Sequence, residues 1–310
     1  MNQFRYDYAV IGGDLRQVYL ANELEKTGRP VCHFALCQPV KQFFPENHSH
    51  PFTTLEAAVT NARRIVCPIP LSKDQDSLNQ SGVKKNIHFK QLLSLLAPGQ
   101  LFFAGCIPDD FSKEACKKSI LVYDLMKDPI LSYFNTIATA EGVICEAIRL
   151  SPVNLHKSRC AVLGYGKCGR TLTDDLKSMR CYVTVVSAFE EELAQAVPSA
   201  DEVLDFSSFS NRIGQYDFIF NTVPALVLTK EALLCANPVT RILDIASFPG
   251  GVDFDAAKEL NISAVSCPGL PGKYAPLSSA RAILQSIRSF ETPYSGHTSH
   301  KERSSPKLCL

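Results

Sequence analysis

The sequence contains no block of basic residues, and its formal net charge is only +1. A broad nucleic-acid footprint and an anionic membrane surface both require clustered Lys and Arg. Neither partner is therefore expected. No apolar run is long enough to cross a bilayer. No charged segment followed by an apolar stretch opens the chain; it runs straight into the strand-like Tyr8-Ala9-Val10-Ile11. No signal peptide is expected, and the expected location is the cytoplasm. The 12 cysteines include no C-x-x-C pair and no Cys/His cluster at zinc spacing. They read as reduced thiols, mostly small core residues, and no metal site is expected.

What is present is a globular balance: 310 residues, 45% hydrophobic and 20% charged. That length accommodates two ordinary domains. Strand-like apolar runs alternate with helical patterns, which predicts an α/β protein with two doubly wound parallel sheets. The first series comprises Tyr8 to Ile11, Val31 to Ala35, Arg64 to Cys67, Leu101 to Ala104 and Ile120 to Tyr123. The second comprises Cys160 to Leu163, Tyr182 to Ser187, Phe218 to Asn221, Ile242 to Ile245 and Ala264 to Ser266. Thr139 to Leu150 has helical spacing and reads as the link between the domains. The expected division is 1–138 for a substrate or partner domain, 139–150 for the linking helix and 151–276 for a Rossmann domain. A C-terminal helix over 277–290, which can return to the first domain, and a disordered tail over 291–310 complete it.

The chemistry is concentrated at Gly164-x-Gly166-x-x-Gly169. The strand-like Arg159 to Leu163 precedes it and a helical pattern, Arg170 to Met179, follows. A G-x-G-x-x-G in that context predicts a dinucleotide site. Gly164 permits the tight turn, Gly166 lets the backbone approach a pyrophosphate, and Gly169 lets helix and strand pack closely. The helix N-terminus offers free N–H groups to the phosphates. Lys167 and Cys168 lie inside the loop and are counted with it. The second strand ends at Ser187 with no acid, where NAD enzymes usually hold one against the ribose 2′-hydroxyl. Glu190 to Glu192 come later and start a helix. With Lys167 and Arg170 nearby, the reading favours NADP over NAD, although no arginine follows Ser187.

The first domain has a degenerate copy of the turn, Gly12-Gly13-Asp14-Leu15-Arg16-Gln17. Asp14 replaces the second glycine and would repel a pyrophosphate, so no dinucleotide is expected there. Arg16 at a helix N-terminus suits a small carboxylate. The alternative is that Asp14 merely caps the helix and Arg16 lies in solvent. Open α/β sheets bind ligands at the carboxyl ends of their strands. Asn221, Thr222, Pro224 and Ser247 are therefore candidate cofactor contacts, followed by Pro268 to Gly272; strand-end turns are the alternative. None of the 7 histidines lies between the glycine loop and Gly272. The His–carboxylate relay of 2-hydroxy acid dehydrogenases is absent from its usual place.

Several motifs together resemble one family. They are Gly12-Gly13-Asp14-x-Arg16-Gln17, Asn135-Thr136 with Glu141-Gly142, the string from Leu243 to Phe254 (LDIASFPGGVDF), and Pro268-Gly269-Leu270-Pro271-Gly272 with Ala275-Pro276. The chain resembles the A subunit of dipicolinate synthase from spore-forming bacteria, from about Tyr8 to about Ser289. The resemblance implies oxidation of a dihydro or 4-hydroxytetrahydro precursor to pyridine-2,6-dicarboxylate, with a nicotinamide dinucleotide as oxidant. It also implies a flavoprotein-like partner, the B subunit of dipicolinate synthase, and a role during sporulation. A homo-oligomer is expected as well. For a substrate with two carboxylates, Arg16 and Lys273 are the candidate contacts. Asn135, Thr136 and Glu141 are candidate catalytic residues at the expected interdomain cleft, with Glu141 a base or else a helix charge. The chain departs from the family pattern at Ala138 (Pro expected), Phe248 (a basic residue) and Leu277-Ser278 (Lys-Thr). Two other readings remain open: a stand-alone amino or hydroxy acid dehydrogenase, and a non-catalytic dinucleotide-binding subunit.

Overall fold

The computed structural model describes residues 4–37 and 49–291. The expected tail over 291–310 therefore lies, apart from Glu291, outside the described residues. The chain divides into two compact units: one up to Phe134 together with Ala275 onward, the other Asn135–Tyr274.

The first unit holds a six-stranded sheet of β1 (Tyr6–Ile11), β2 (Val31–Phe34), β3 (His50–Pro51), β4 (Ala62–Val66), β5 (Leu101–Ala104) and β6 (Leu121–Asp124). Its order is β3-β2-β1-β4-β5-β6, and all pairs are parallel. The second unit holds β7 (Arg159–Leu163), β8 (Tyr182–Val186), β9 (Glu202–Leu204), β10 (Phe218–Asn221), β11 (Arg241–Asp244) and β12 (Ser263–Ser266). Its order is β12-β11-β10-β7-β8-β9, again parallel. Both sheets thus have the Rossmann order, with the reversal beside their first strands, β1 and β7. Central strands such as β7 and β10 are buried on both faces, which is why they read as continuous apolar runs. The two short strands β3 and β9 are not among the expected ones.

The helix expected over 139–150 spans Pro129–Leu150 and begins in the first unit. Its start carries a helix-entry signal: the Asp128 carboxylate accepts from Ile130 N at 2.8 Å, and Pro129 takes the first position, where a missing N–H costs nothing. Leu131 is buried in the core of the first unit, while Ala140, Val143, Ile144 and Ala147 are buried in that of the second. The division between units therefore falls within this helix, four residues before the expected border. The second border, between Tyr274 and Ala275, falls two residues early.

The last helix, Pro276–Glu291, buries Ala280, Ile283, Leu284 and Ile287 in the first unit's core with Leu20, Ala21 and Leu24 of the helix Leu15–Glu25. Its end is fastened to the sheet. The Glu291 carboxylate accepts from the Tyr8 hydroxyl at 2.7 Å and from Arg29 at 2.8 Å, and pairs with Arg64. Among the described residues, no helix is long and apolar enough to cross a membrane. No group of three or more His, Cys, Asp or Glu that could hold a metal occurs among them.

Candidate dinucleotide site

β7 ends at Leu163 and enters the glycine loop, and the helix Lys167–Ser178 leaves it. The three glycines meet different constraints. Gly164 has φ +87°, a conformation side-chain-bearing residues rarely adopt, and a Cβ there would lie 2.6 Å from Thr222 Oγ1. A side chain at Gly169 would collide with the Gly164 carbonyl oxygen. Gly166 is the opposite case. It has an ordinary φ of −69°, and a Cβ there would meet nothing within 4 Å. It is also the N-cap of the helix, with no side-chain cap, and the first turn contains no acid. An uncapped helix N-terminus beside open, side-chain-free space fits a pyrophosphate.

The loop's cations are arranged more locally than their positions suggest. The Arg170 side chain lies over the Tyr165 ring at 5.3 Å, donates from Nε to the Tyr165 carbonyl at 2.9 Å and pairs with Gln195. Lys167 is exposed. The Cys168 thiol is half-buried, and burial pushes its pKa up against the opposing pull of Lys167.

The strand end at Ser187 departs from expectation. The seven-residue helix Glu190–Ala196 starts so soon after β8 that Glu192 reaches back to it. Its Oε2 accepts from the Ser187 hydroxyl at 2.6 Å and from the Tyr165 backbone N–H at 3.2 Å. A carboxylate therefore stands at the end of β8 after all, joined to the glycine loop. The preference for NADP rested on its absence together with Lys167 and Arg170, and loses the first of these supports. Ser187 itself is buried and spends its hydroxyl on this bridge, accepting also from Phe189 N at 3.1 Å.

The candidate contacts on β10 and β11 separate into inward and outward groups. Asn221 is fully buried and lies in register opposite Asp244. Its amide donates to Asp244 Oδ1 at 2.8 Å and to the Val223 carbonyl at 3.0 Å. Thr222 donates its hydroxyl to the Leu163 carbonyl at 2.9 Å. Through these bonds Asn221 and Thr222 shape the strand ends where a cofactor is expected. Pro224 and Ser247 are exposed there. Asp244, which sequence reasoning did not assign a role, organises the LDIASFPGG string. Its carboxylate also accepts from Ala246 N at 3.0 Å and Gly251 N at 2.9 Å. Gly251 has no room for a side chain because Asn221 Nδ2 occupies that space.

The matching turn of the first unit is closed. The Gly13 amide donates to the Asn79 carbonyl at 2.9 Å, and a Cβ at Gly12 would meet Gln80 and Leu78 at 3.0 Å. Asp14 caps the helix by accepting from Arg16 N at 3.0 Å. Arg16 is buried rather than solvated. Its Nε and Nη2 face the Asp14 carboxylate at 2.9 and 2.8 Å, and Nη2 also reaches the Ile69 carbonyl at 2.5 Å. The fork expected to hold a substrate carboxylate is engaged by a carboxylate of its own turn.

Lys273 is likewise committed. It pairs with Glu146, which also accepts from the Tyr274 hydroxyl and from Arg149, each at 2.7 Å. These partners, Lys273 foremost, hold the buried Glu146 carboxyl down at about 2. Thr136 is buried, with its hydroxyl 3.0 Å from that of Thr171. Asn135 is half-buried and accepts the Thr139 hydroxyl on its carbonyl at 2.7 Å. Glu141 is exposed. Its neighbour Gly142 lies against the segment Leu270–Tyr274: a Cβ there would lie 2.9 Å from Leu270 Cβ.

Two Rossmann-order sheets, one with an open glycine loop at its reversal and one with the same turn closed, define a two-domain α/β protein of Rossmann type. The same architecture occurs in a transhydrogenase from Sinorhizobium meliloti, with a TM-score of 0.64 over 92% of each chain at 12% identity. The chain is similar to the A subunit of dipicolinate synthase. Residues 7–126 match the family described as the N-terminal domain of the dipicolinate synthase A subunit. The Bacillus subtilis (strain 168) protein of that name is 27% identical over 289 residues, covering 91% of this chain and 94% of that one. The crystal structure of the Bacillus halodurans A subunit superposes with a TM-score of 0.78 at 23% identity, covering 94% of this chain and 99% of that one.

Proposed function

We propose that this chain is the A subunit of a dipicolinate synthase, a nicotinamide-dinucleotide oxidoreductase acting with a B subunit in the cytoplasm of a sporulating cell. The observation that carries the reading is the Gly164–Gly169 loop, with its open space at Gly166 and its uncapped helix N-terminus. Similarity to a protein of that name along 91% of the chain supports the substrate class.

The reaction removes a hydride and a proton from a cyclic imine dicarboxylate and leaves an aromatic pyridine dicarboxylate. A bound nicotinamide dinucleotide supplies the hydride acceptor. The protein's own contribution is positional. The loop amides would hold the pyrophosphate of the bound dinucleotide, and the exposed Pro224 and Ser247 would flank its nicotinamide at the strand ends. Aromatisation drives the step, so no histidine relay is needed. Glu141 is the exposed carboxylate proposed to accept the proton. Arg16 and Lys273 are each paired with a carboxylate, Asp14 and Glu146, and a substrate carboxylate reaching either cation would share it with that partner.

The test combines the purified chain, a B subunit, the dihydro precursor and NAD⁺ or NADP⁺, with dipicolinate followed by its ultraviolet absorbance. Product formation that requires this chain and the dinucleotide is expected. Unchanged product formation when the chain is omitted would contradict the proposal.

A further inference from the structure

We infer that Glu192 makes the dinucleotide site selective for an unphosphorylated adenosine ribose, and so for NAD(H) over NADP(H). The inference rests on reading Gly164–Gly169 as the dinucleotide loop. In that fold the partner of the ribose hydroxyls stands at the end of the second strand, next to the glycine turn. No residue of the strand or of its immediate exit is acidic here, but the position holds a carboxylate all the same. Glu192 delivers it from the following helix. Two donors fix it there, the Ser187 hydroxyl of the strand exit at 2.6 Å and the Tyr165 N–H of the glycine loop at 3.2 Å. Both bonds fall on Oε2, which leaves Oε1 as the acceptor offered to a ribose hydroxyl.

The surrounding charges point the same way. Glu190 and Glu191 are exposed in the same helical turn. Arg170, the nearby guanidinium suited to a 2′-phosphate, is directed to the Tyr165 carbonyl and to Gln195. A phosphate monoester brought beside Glu192 would meet a fixed negative charge, whereas a free 2′-hydroxyl would gain an acceptor.

The experiment is a fluorescence titration of the full chain with NADH and with NADPH, for wild type and Glu192→Gln. Glutamine keeps an oxygen for Ser187 and Tyr165, so the loop geometry is preserved while the charge is removed. Wild type is expected to bind NADH at least tenfold more tightly than NADPH, about 1.4 kcal/mol. Glu192→Gln is expected to lower that ratio at least about fivefold, chiefly through tighter NADPH binding. Wild type binding NADPH as tightly as NADH overturns the inference and leaves the loop assignment standing. So does an unchanged ratio in Glu192→Gln. Wild type that binds neither dinucleotide overturns the loop assignment itself, and this inference with it.

Discussion

Replacing Asp244 with Asn tests whether the LDIASFPGG string is a folding device for the strand ends. The carboxylate is buried and has three donors: Asn221 Nδ2 and Ala246 N on Oδ1, Gly251 N on Oδ2. An asparagine has a single acceptor oxygen. In its better orientation that oxygen serves Asn221 and Ala246, and the new NH₂ faces the Gly251 N–H. One buried donor is then unpaired, at about 1–3 kcal/mol, and two bonds lose their ionic character at about 0.5 kcal/mol or more each. The sum is about 2–4 kcal/mol. For a domain of this size that corresponds to a fall in Tm of roughly 6–12 °C. Thermal unfolding of the full chain by circular dichroism measures it, and amide exchange at Gly251 localises it to the loop. A fall of less than about 2 °C, with Gly251 still protected, would show that the carboxylate does not hold the loop.

Glu146→Gln carries a pH signature. The folded carboxyl is held at about 2, below its ordinary value of 4.5, by Lys273, Tyr274 and Arg149. The resulting stabilisation is fully present above pH 4.5 and is lost as pH falls toward 2. The difference between wild type and variant in urea midpoint should therefore shrink between neutral pH and about pH 3; a constant difference would refute the linkage. Arg16→Lys should cost about 1.5–3 kcal/mol, because an ammonium cannot reproduce the fork on Asp14 and the bond to Ile69. Its dinucleotide affinity should match wild type, since the first unit's turn is closed. Unchanged stability in urea would show that the buried pair contributes little.

Much of this architecture is legible in the sequence because it depends on local pattern. β5 is an uninterrupted apolar run and β10 is one up to its terminal Asn221, and the glycine loop announces itself by its spacing. The edge strands β3 and β9 are not legible. His50–Pro51 and Glu202–Leu204 are two and three residues long and lack an apolar run. The early start of the long helix is hidden because Ile130, Tyr133, Phe134 and Ile137 are exposed apolar residues that do not mark a buried face. The Asp128-Pro129 pair is the local signal that does mark it. In the site, the side chains misread are those whose partners are distant in sequence. Asn221 meets Asp244 only because β10 pairs with β11, and Lys273 meets Glu146 across 127 positions. Glu192 lies five residues beyond Ser187, and only the short exit and the helix that follows bring it back to that hydroxyl. Spacing alone assigns no direction to a charge placed after a turn.

Gly166 offers the most direct test of the central claim, that the second unit's glycine loop holds the dinucleotide. Its φ is −69°, and a Cβ at this position would have no atom within 4 Å, so Gly166→Asp should fold as wild type does. The new carboxylate would stand where the pyrophosphate must approach and would repel it. In a titration with NADH, wild type should bind one equivalent per chain, because the first unit's turn is closed, and Gly166→Asp should bind none while keeping its unfolding temperature. A folded Gly166→Asp protein that binds NADH with wild-type affinity would contradict the account.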